Sequence, residues 1–209
     1  MTRWLLVVAA TAILIGAWSS QLGGLGGGSF ATHMTAHMAV VVLAAPLLAA
    51  AVAGGAFDPV RRYPGAFNAI AASVGELVVV WAWHTPALHL AARHGVLALI
   101  AEQASFLAAG FWLWLSIFGG DLNARTERAA TGVVALVLTF GHMTLLGALL
   151  ALTPRPLYQH AAGPAALAIA DQHLGGVIML AFGTVVYVGA GVWLAVGLVH
   201  PTPESVHRA

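Results

Sequence analysis

Six apolar runs, each of about the length needed to cross a lipid bilayer, divide this 209-residue chain. A helical span needs roughly 20 mainly apolar residues, and a soluble domain has no use for so many runs of that length. Charged residues make up 7% of the chain, against about 25% in soluble domains. The sequence therefore predicts an all-α fold, a single polytopic transmembrane helical bundle over residues 1–209. The six predicted spans are 3–21, 30–55, 66–84, 96–118, 129–152 and 172–199.

The distribution of arginine predicts how this bundle lies in the membrane. Cytoplasmic loops carry an excess of basic residues, and here the two sides of the bundle hold six arginines against two. We therefore expect both termini in the cytoplasm of a bacterium and the opposite side in the periplasm, so that the chain is a multi-pass inner-membrane protein. The six are Arg3, Arg61, Arg62, Arg125, Arg128 and Arg208, and the two are Arg93 and Arg155.

The first span, 3–21, has two interpretations. Arg3, the apolar run that follows it and the pair Ser19-Ser20 are typical of a signal peptide, but no clear Ala-x-Ala cleavage site is present. Retention makes this segment a signal anchor and the first helix of the bundle. Cleavage would leave five spans in the same orientation.

Eight of the ten histidines fall at or below the predicted outer face. Histidine is the commonest metal ligand among side chains, and ionisable groups within a bilayer are usually functional. The chain has no cysteine, so a metal would bind imidazole, thioether or carboxylate groups. A net charge of +1 gives no basic footprint for a nucleic-acid partner. These eight histidines therefore predict metal chemistry at one face of the membrane.

Two His-Met steps open the second span. His33 and His37 lie four residues apart, on one face of a helix, and Met34 and Met38 follow on the adjacent face. Such a histidine pair can chelate one ion, and thioethers favour Cu(I), so copper is the predicted metal. The alternative is a pair of interfacial histidines wetted by water, with methionines as packing residues.

Further candidate ligands lie deeper in the bundle or at its rim. His142-Met143 repeats the His-Met step about 15 Å below the outer end of the fifth span, at the rise of a helix. His84 ends the third span just before Pro86, as a metal ligand or as an interfacial residue. Asp171 and His173 open the sixth span, where Asp171 is also suited to capping its own helix.

Two acidic residues lie within predicted spans. Glu76 and Glu102 are about 12 Å and 9 Å below the outer ends of their helices at 1.5 Å per residue. A charge at mid-bilayer costs about 3 kcal/mol, so each should be protonated, paired or beside a polar cavity. The alternative is a structural hydrogen bond between helices. The remaining histidines are predicted to be loop residues (His89, His94, His160) or to lie in the cytoplasmic tail (His200, His207).

Several motifs in register resemble the caa3-type, CtaG-like family of cytochrome c oxidase assembly factors, which are polytopic bacterial membrane proteins. The resemblance runs from about residue 30 to 182. The matching stretches are His33-Met34-x-x-His37-Met38, Pro46-Leu47-Leu48, Trp83-His84-x-Pro86, Glu102-Gln103-Ala104-Ser105-Phe106-Leu107-x-Ala109-Gly110, Pro156-Leu157-Tyr158 and Asp171-Gln172-x-x-Gly175-Gly176-x-Ile178-Met179.

The resemblance implies a non-enzymatic factor that binds copper near the periplasmic face and helps to deliver it to the catalytic subunit of the oxidase. Periplasmic copper chaperones would then be further partners. Two departures reduce the match: Gln103 stands where the family often has histidine, and members often have a seventh span. The resemblance highlights His33, His37, His84, Glu102, Asp171 and Gln172. The complete set of predicted metal-site residues is His33, His37, His142, Met34, Met38, Met143, His84, Glu102, Asp171 and His173.

The alternative function is a membrane b-type cytochrome, with His37 and His142 as axial haem ligands on facing helices. The His-Met clustering favours copper over haem. A metal-dependent hydrolase with Glu76 or Glu102 as general base is disfavoured because the chain has no HExxH motif. A transporter is disfavoured because no internal repeat is visible.

Overall fold

The protein is described by a computed structural model that covers residues 2–23, 25, 28–121, 124–158 and 164–200. Helices are the only regular structure in these residues, which confirms the all-α prediction. Seven of them build the bundle: α1 (Arg3–Gly23), α2 (Phe30–Val52), α3 (Ala69–Trp83), α4 (Pro86–His94), α5 (Val96–Phe118), α6 (Arg125–Leu152) and α7 (Ala165–Val199). Single turns, Pro59–Arg62 and Pro64–Ala66, connect α2 to α3.

Five of these helices, α1, α2, α5, α6 and α7, are long and apolar enough to cross a membrane. The third predicted span is a shorter apolar helix, because α3 has 15 residues. That length gives about 22 Å at the rise of an α-helix, less than the roughly 30 Å of a hydrocarbon core. The segment that follows it was predicted to be a loop, and this prediction is wrong because the segment forms the separate helix α4. The last helix begins seven residues before the predicted start of the sixth span, at Ala165 instead of residue 172.

One end of the bundle is held together by arginine and aspartate side chains. The Arg3 guanidinium donates to the carbonyl oxygens of Ala51 and Ala53 at the end of α2, at 3.1 and 2.9 Å. The Asp58 carboxylate accepts backbone N–H bonds from three residues, one of which, Gly120, follows α5. These contacts tie α1, α2 and α5 together at the end predicted to be cytoplasmic.

Helix α7 packs closely against both α6 and α2 because it has glycine at two consecutive positions. A Cβ atom on Gly176 would lie 2.5 Å from the backbone nitrogen of Ala151, and one on Gly175 would lie 2.5 Å from the Phe30 ring. Neither contact is sterically tolerable, so only glycine allows this approach. The two glycines thus bring α7 close to α6 and to Phe30 of α2.

A segment of π-helix, Ala39–Ala44, lies in the middle of α2, just before Pro46. In this register the Ala45 N–H donates to the carbonyl of Val40. The next bond would run from residue 46 to Val41, but proline has no N–H. The indole Nε1 of Trp114 on α5 replaces it and donates to the Val41 carbonyl at 3.0 Å. The irregular turn of α2 is therefore satisfied by a neighbouring helix.

We expect Trp114→Phe to lower the free energy of unfolding by about 1–3 kcal/mol, because it leaves a buried carbonyl without a donor. Thermal unfolding of the detergent-purified protein measures this loss. Trp193→Phe is the matched control, since Trp193 is 59% exposed. In a Pro46→Ala background the restored N–H can satisfy Val41, so the cost of Trp114→Phe should shrink. An equal cost in both backgrounds would contradict this account.

Candidate metal centre

Four histidines converge inside the bundle, close to the end opposite Arg3. His33 and His37 come from α2, His84 caps the end of α3, and His89 comes from α4. All four are buried, with no more than 5% of any side chain exposed. We call them the histidine cluster. The ring centroids of His33 and His89 are 4.7 Å apart, those of His37 and His84 5.3 Å, and those of His33 and His84 5.7 Å.

Two of these imidazoles are held with one nitrogen directed away from their protein partners. His84 Nδ1 lies 2.7 Å from the carbonyl oxygen of Val80, and His33 Nδ1 lies 3.2 Å from the Oε1 atom of Gln21. Because these oxygens only accept, each Nδ1 carries the proton and each Nε2 has a free lone pair. Both Nε2 atoms are buried without a hydrogen-bond partner among the described residues, as are both ring nitrogens of His37.

A buried ion pair borders the histidine cluster. The Arg93 guanidinium on α4 donates to Glu102 Oε2 on α5 at 2.5 Å and to Gln21 Oε1 on α1 at 2.6 Å. The amide of Gln103 donates to the same Glu102 oxygen at 3.1 Å, while Glu102 Oε1 has no partner within the described ranges. Burial lowers the pKa of Arg93, although its ion pair with Glu102 opposes this shift. Glu102 is therefore a paired carboxylate, one of the three states expected for it.

Three of these side chains form a geometry that could hold a metal ion. One potential ligand atom from each of His33, His89 and Glu102 lies within 4.8 Å of the other two. Aromatic rings border these side chains. The ring of Phe106 is edge-on to that of His37 with 4.2 Å between centroids, and the ring centroids of Tyr158 and His89 are 4.6 Å apart. The site is thus a buried polar cluster bordered by aromatic rings.

The deeper predicted ligands lie one step away from the cluster. His142 on α6 is buried and within electrostatic range of His37, and neither of its ring nitrogens has a hydrogen-bond partner in the described part of the chain. Met38 and Met143 both pack around Gly183 on α7, and Met34 packs beside Gly175. All three methionines are fully buried. Their role as ligands stays a prediction.

The predicted rim residue Asp171 acts as a helix cap, but for a different helix. The prediction that it caps its own helix is wrong, because α7 begins at Ala165. Its carboxylate accepts the backbone N–H bonds of Phe30 and Ala31, at 2.6 and 3.1 Å, in the first turn of α2. This contact fixes the start of the helix that carries His33 and His37. His173 is half-buried, and its Nε2 lies 3.0 Å from the carbonyl oxygen of Thr153.

Two polar side chains fix the first residues of the connector between α6 and α7, one to α7 and the other to the histidine cluster. Gln172 is fully buried and accepts the N–H of Leu157 at 2.7 Å. The Tyr158 hydroxyl donates to the carbonyl of His84 at 2.5 Å, and its ring stacks on Phe30 at 4.4 Å. Burial raises the pKa of Tyr158, which keeps this hydroxyl protonated as a donor.

Sequence reasoning missed three residues of this site: His89, Arg93 and Gln21. Residues 89 and 93 are four positions apart, in a segment that begins with Pro86 at a favoured first helical position and ends before Gly95. These signals could have predicted an amphipathic helix in this segment, with His89 and Arg93 on one face. His94 is exposed at the end of α4. His200 is also exposed, and His160 and His207 lie outside the described residues.

Fold and site together define a polytopic membrane protein with a buried, histidine-rich centre near one end of its bundle. The family model described as cytochrome c oxidase caa3 assembly factor matches residues 1–200. The chain therefore belongs to this family of oxidase assembly factors, which confirms the resemblance drawn from the motifs. No curated protein and no solved structure gave a significant match.

We expect Glu102→Gln to destabilise the protein by about 3–5 kcal/mol, because it leaves the Arg93 cation buried without a counter-charge. Chemical denaturation in detergent measures the change. The control is Asp121→Asn, which breaks the exposed Arg61–Asp121 pair and should cost no more than about 1 kcal/mol. Replacing Arg93 and Glu102 together by methionine should recover most of the loss. Equal effects of Glu102→Gln and Asp121→Asn would contradict a structural role for the buried pair.

Proposed function

We propose that the protein is a non-catalytic oxidase assembly factor that binds copper in the histidine cluster and helps to deliver it to the catalytic subunit. The observation that carries this proposal is the convergence of His33, His37, His84 and His89 from three helices in the buried interior of the bundle. Copper is here the cargo. It would be bound near the periplasmic face of the inner membrane, because arginine is concentrated at the other end.

The donor atoms support a soft or borderline ion. Imidazole nitrogens suit copper in either redox state, whereas a site for magnesium or calcium would be built from oxygens. In His33 and His84 the Nδ1 atom makes the hydrogen bond that holds the ring, and the Nε2 atom on the other side of the ring keeps a free lone pair. Such outer contacts orient histidine ligands in known metal sites. The unpartnered Oε1 of Glu102 is a further donor.

A site for cargo must also release the ion, and the charge of this site favours release. Glu102, the carboxylate nearest to the histidines, is already neutralised by Arg93 at 2.5 Å. A fixed guanidinium beside neutral imidazoles disfavours a second cation, so the affinity should be lower than that of an anionic site. Transfer to a tighter site in the oxidase is then energetically downhill.

We expect the purified protein to bind about one copper ion, and the double variant His33→Ala/His37→Ala to lose it, because two imidazole ligands are removed. Metal analysis of the detergent-purified chain measures the stoichiometry. His94→Ala is the matched control, since His94 is an exposed histidine of the same bundle end. His89→Ala and His142→Ala test whether the geometric cluster or the deeper histidine completes the ligand set.

Two further readouts separate this function from its alternatives. Copper content of the oxidase in cells that carry His33→Ala/His37→Ala should fall while the variant itself still accumulates in the membrane. An absorption spectrum tests the b-type cytochrome, because a Soret band lost in His37→Ala would identify haem instead of copper. Unchanged copper stoichiometry in the double variant would overturn the proposal.

A further inference from the structure

A second buried polar group lies deeper in the bundle, around Glu76 on α3. This residue is fully buried, and its carboxyl oxygens contact only hydroxyl groups in the described structure. One oxygen lies 3.3 Å from the Tyr187 hydroxyl on α7, and the other lies 3.4 Å from the Thr139 hydroxyl on α6. Thr139 in turn lies 2.8 Å from the hydroxyl of Ser73. Three helices thus surround one carboxyl group with hydroxyls.

The two acids buried within described helices of the bundle, Glu76 and Glu102, differ in one decisive respect. Glu102 has the Arg93 guanidinium at 2.5 Å, whereas no ion pair among the described residues involves Glu76. A carboxylate away from water and without a cation pays the full cost of desolvation, so the neutral acid is the stable form. Glu102 is therefore the acid that has already given up its proton, and Glu76 is the acid that still holds one.

Glu76 lies eight residues before His84 of the histidine cluster, about 12 Å along α3 at the rise of a helix. Its partner Thr139 is three residues before His142 on α6, which places both side chains on one face of that helix. His142 interacts electrostatically with His37, the deepest member of the cluster on α2. Thr139 and His142 therefore occupy the stretch of α6 between Glu76 and the cluster, and His142 is linked to the cluster by electrostatics and not by a hydrogen bond.

The backbone around this group is irregular on both sides. Tyr187 lies in a second π-helical segment, Thr184–Val188 of α7, and its ring stacks on Trp114 at 5.9 Å. Trp114 is the residue that satisfies the π-helical segment of α2. Turns of π-helix occur frequently at functional sites. Here both segments are joined to Glu76 through Tyr187, which sets this acid apart from a simple contact between regular helices.

We propose that Glu76 is a proton-exchange site that releases its proton when a cation binds in the histidine cluster. This inference rests on the proposed function. A monovalent ion bound by neutral imidazoles would add one positive charge to a low-dielectric interior, where charges act over long distances. Loss of the Glu76 proton to solution converts the carboxylic acid to a carboxylate, so the interior keeps its net charge. No electron transfer is involved.

Other titratable groups face the same interior from the helices that pack around α3, and they must be separated from Glu76 in any test. They are His84 at the end of α3 itself, His89 and Arg93 on α4, Glu102 on α5, His142 on α6, His37 on α2 and Tyr187 on α7.

The experiment is calorimetric titration of the purified full-length protein with Ag(I), a redox-stable monovalent probe, in two buffers of different ionisation enthalpy. At about pH 7.5, above the ordinary histidine pKa of roughly 6.5, imidazoles contribute few protons. We expect about one proton released per ion by the wild type and none by Glu76→Gln, which keeps the shape of the protonated acid. The affinity of the wild type should then rise about tenfold per pH unit, and that of Glu76→Gln should stay constant.

Glu127→Gln, which changes an exposed acid near the start of α6, is the control and should release the proton normally. Infrared spectroscopy adds an independent readout: the resting protein should show a carboxylic-acid C=O band that is absent in Glu76→Gln and disappears when Ag(I) binds. Ion binding without proton release, or release that is lost in Glu102→Gln but kept in Glu76→Gln, would overturn the exchange site alone. Failure of the folded wild type to bind Ag(I) would instead overturn the cation site on which it rests.

Discussion

The buried ion pair between Arg93 and Glu102 is the interaction on which the rest of the site depends. It joins α4 to α5, and through Gln21 it joins both to α1 and to His33 on α2. A buried charge is stable only when it is paired and hydrogen-bonded. Separating these helices would leave a buried charge without its partner, which costs energy. The network therefore holds α4, a short helix that does not span the membrane, with its His89 against the other histidines.

The motifs that resemble those of the oxidase assembly factors include residues that hold the helices of the bundle together. Asp171 caps α2, Gln172 and Tyr158 fix the first residues of the connector after α6, and Gly175-Gly176 lets α7 approach α6 and Phe30. Even the proline of the second span has a partner, because Trp114 supplies the hydrogen bond that Pro46 cannot. Most motif residues outside the histidines thus position the helices that carry the histidines.

The membrane spans, and the spacing of residues within one span, were the predictable part of this protein. Apolar runs of spanning length allowed α1, α2 and α5 to be placed to within three residues at each end, and the His33–His37 pair follows from helical periodicity alone. The errors arose where short polar segments meet the bundle. The segment around His89 was too polar to count as a span, yet its buried face folds back into the site. Asp171 had the composition of a cap, but which helix it caps depends on a contact across 141 residues of sequence.

The sequence by itself therefore determined the class of protein, the family, the approximate limits of most of its apolar helices and the residue types available as ligands. The length of an apolar run and the type of each residue are local properties, so they can be determined without knowledge of the fold. Tertiary structure decided which donors meet, because the meeting of His33, His84 and His89 depends on how three helix ends pack. It also decided the different states of two similar acids: Glu102 faces an arginine, whereas Glu76 faces only hydroxyl groups.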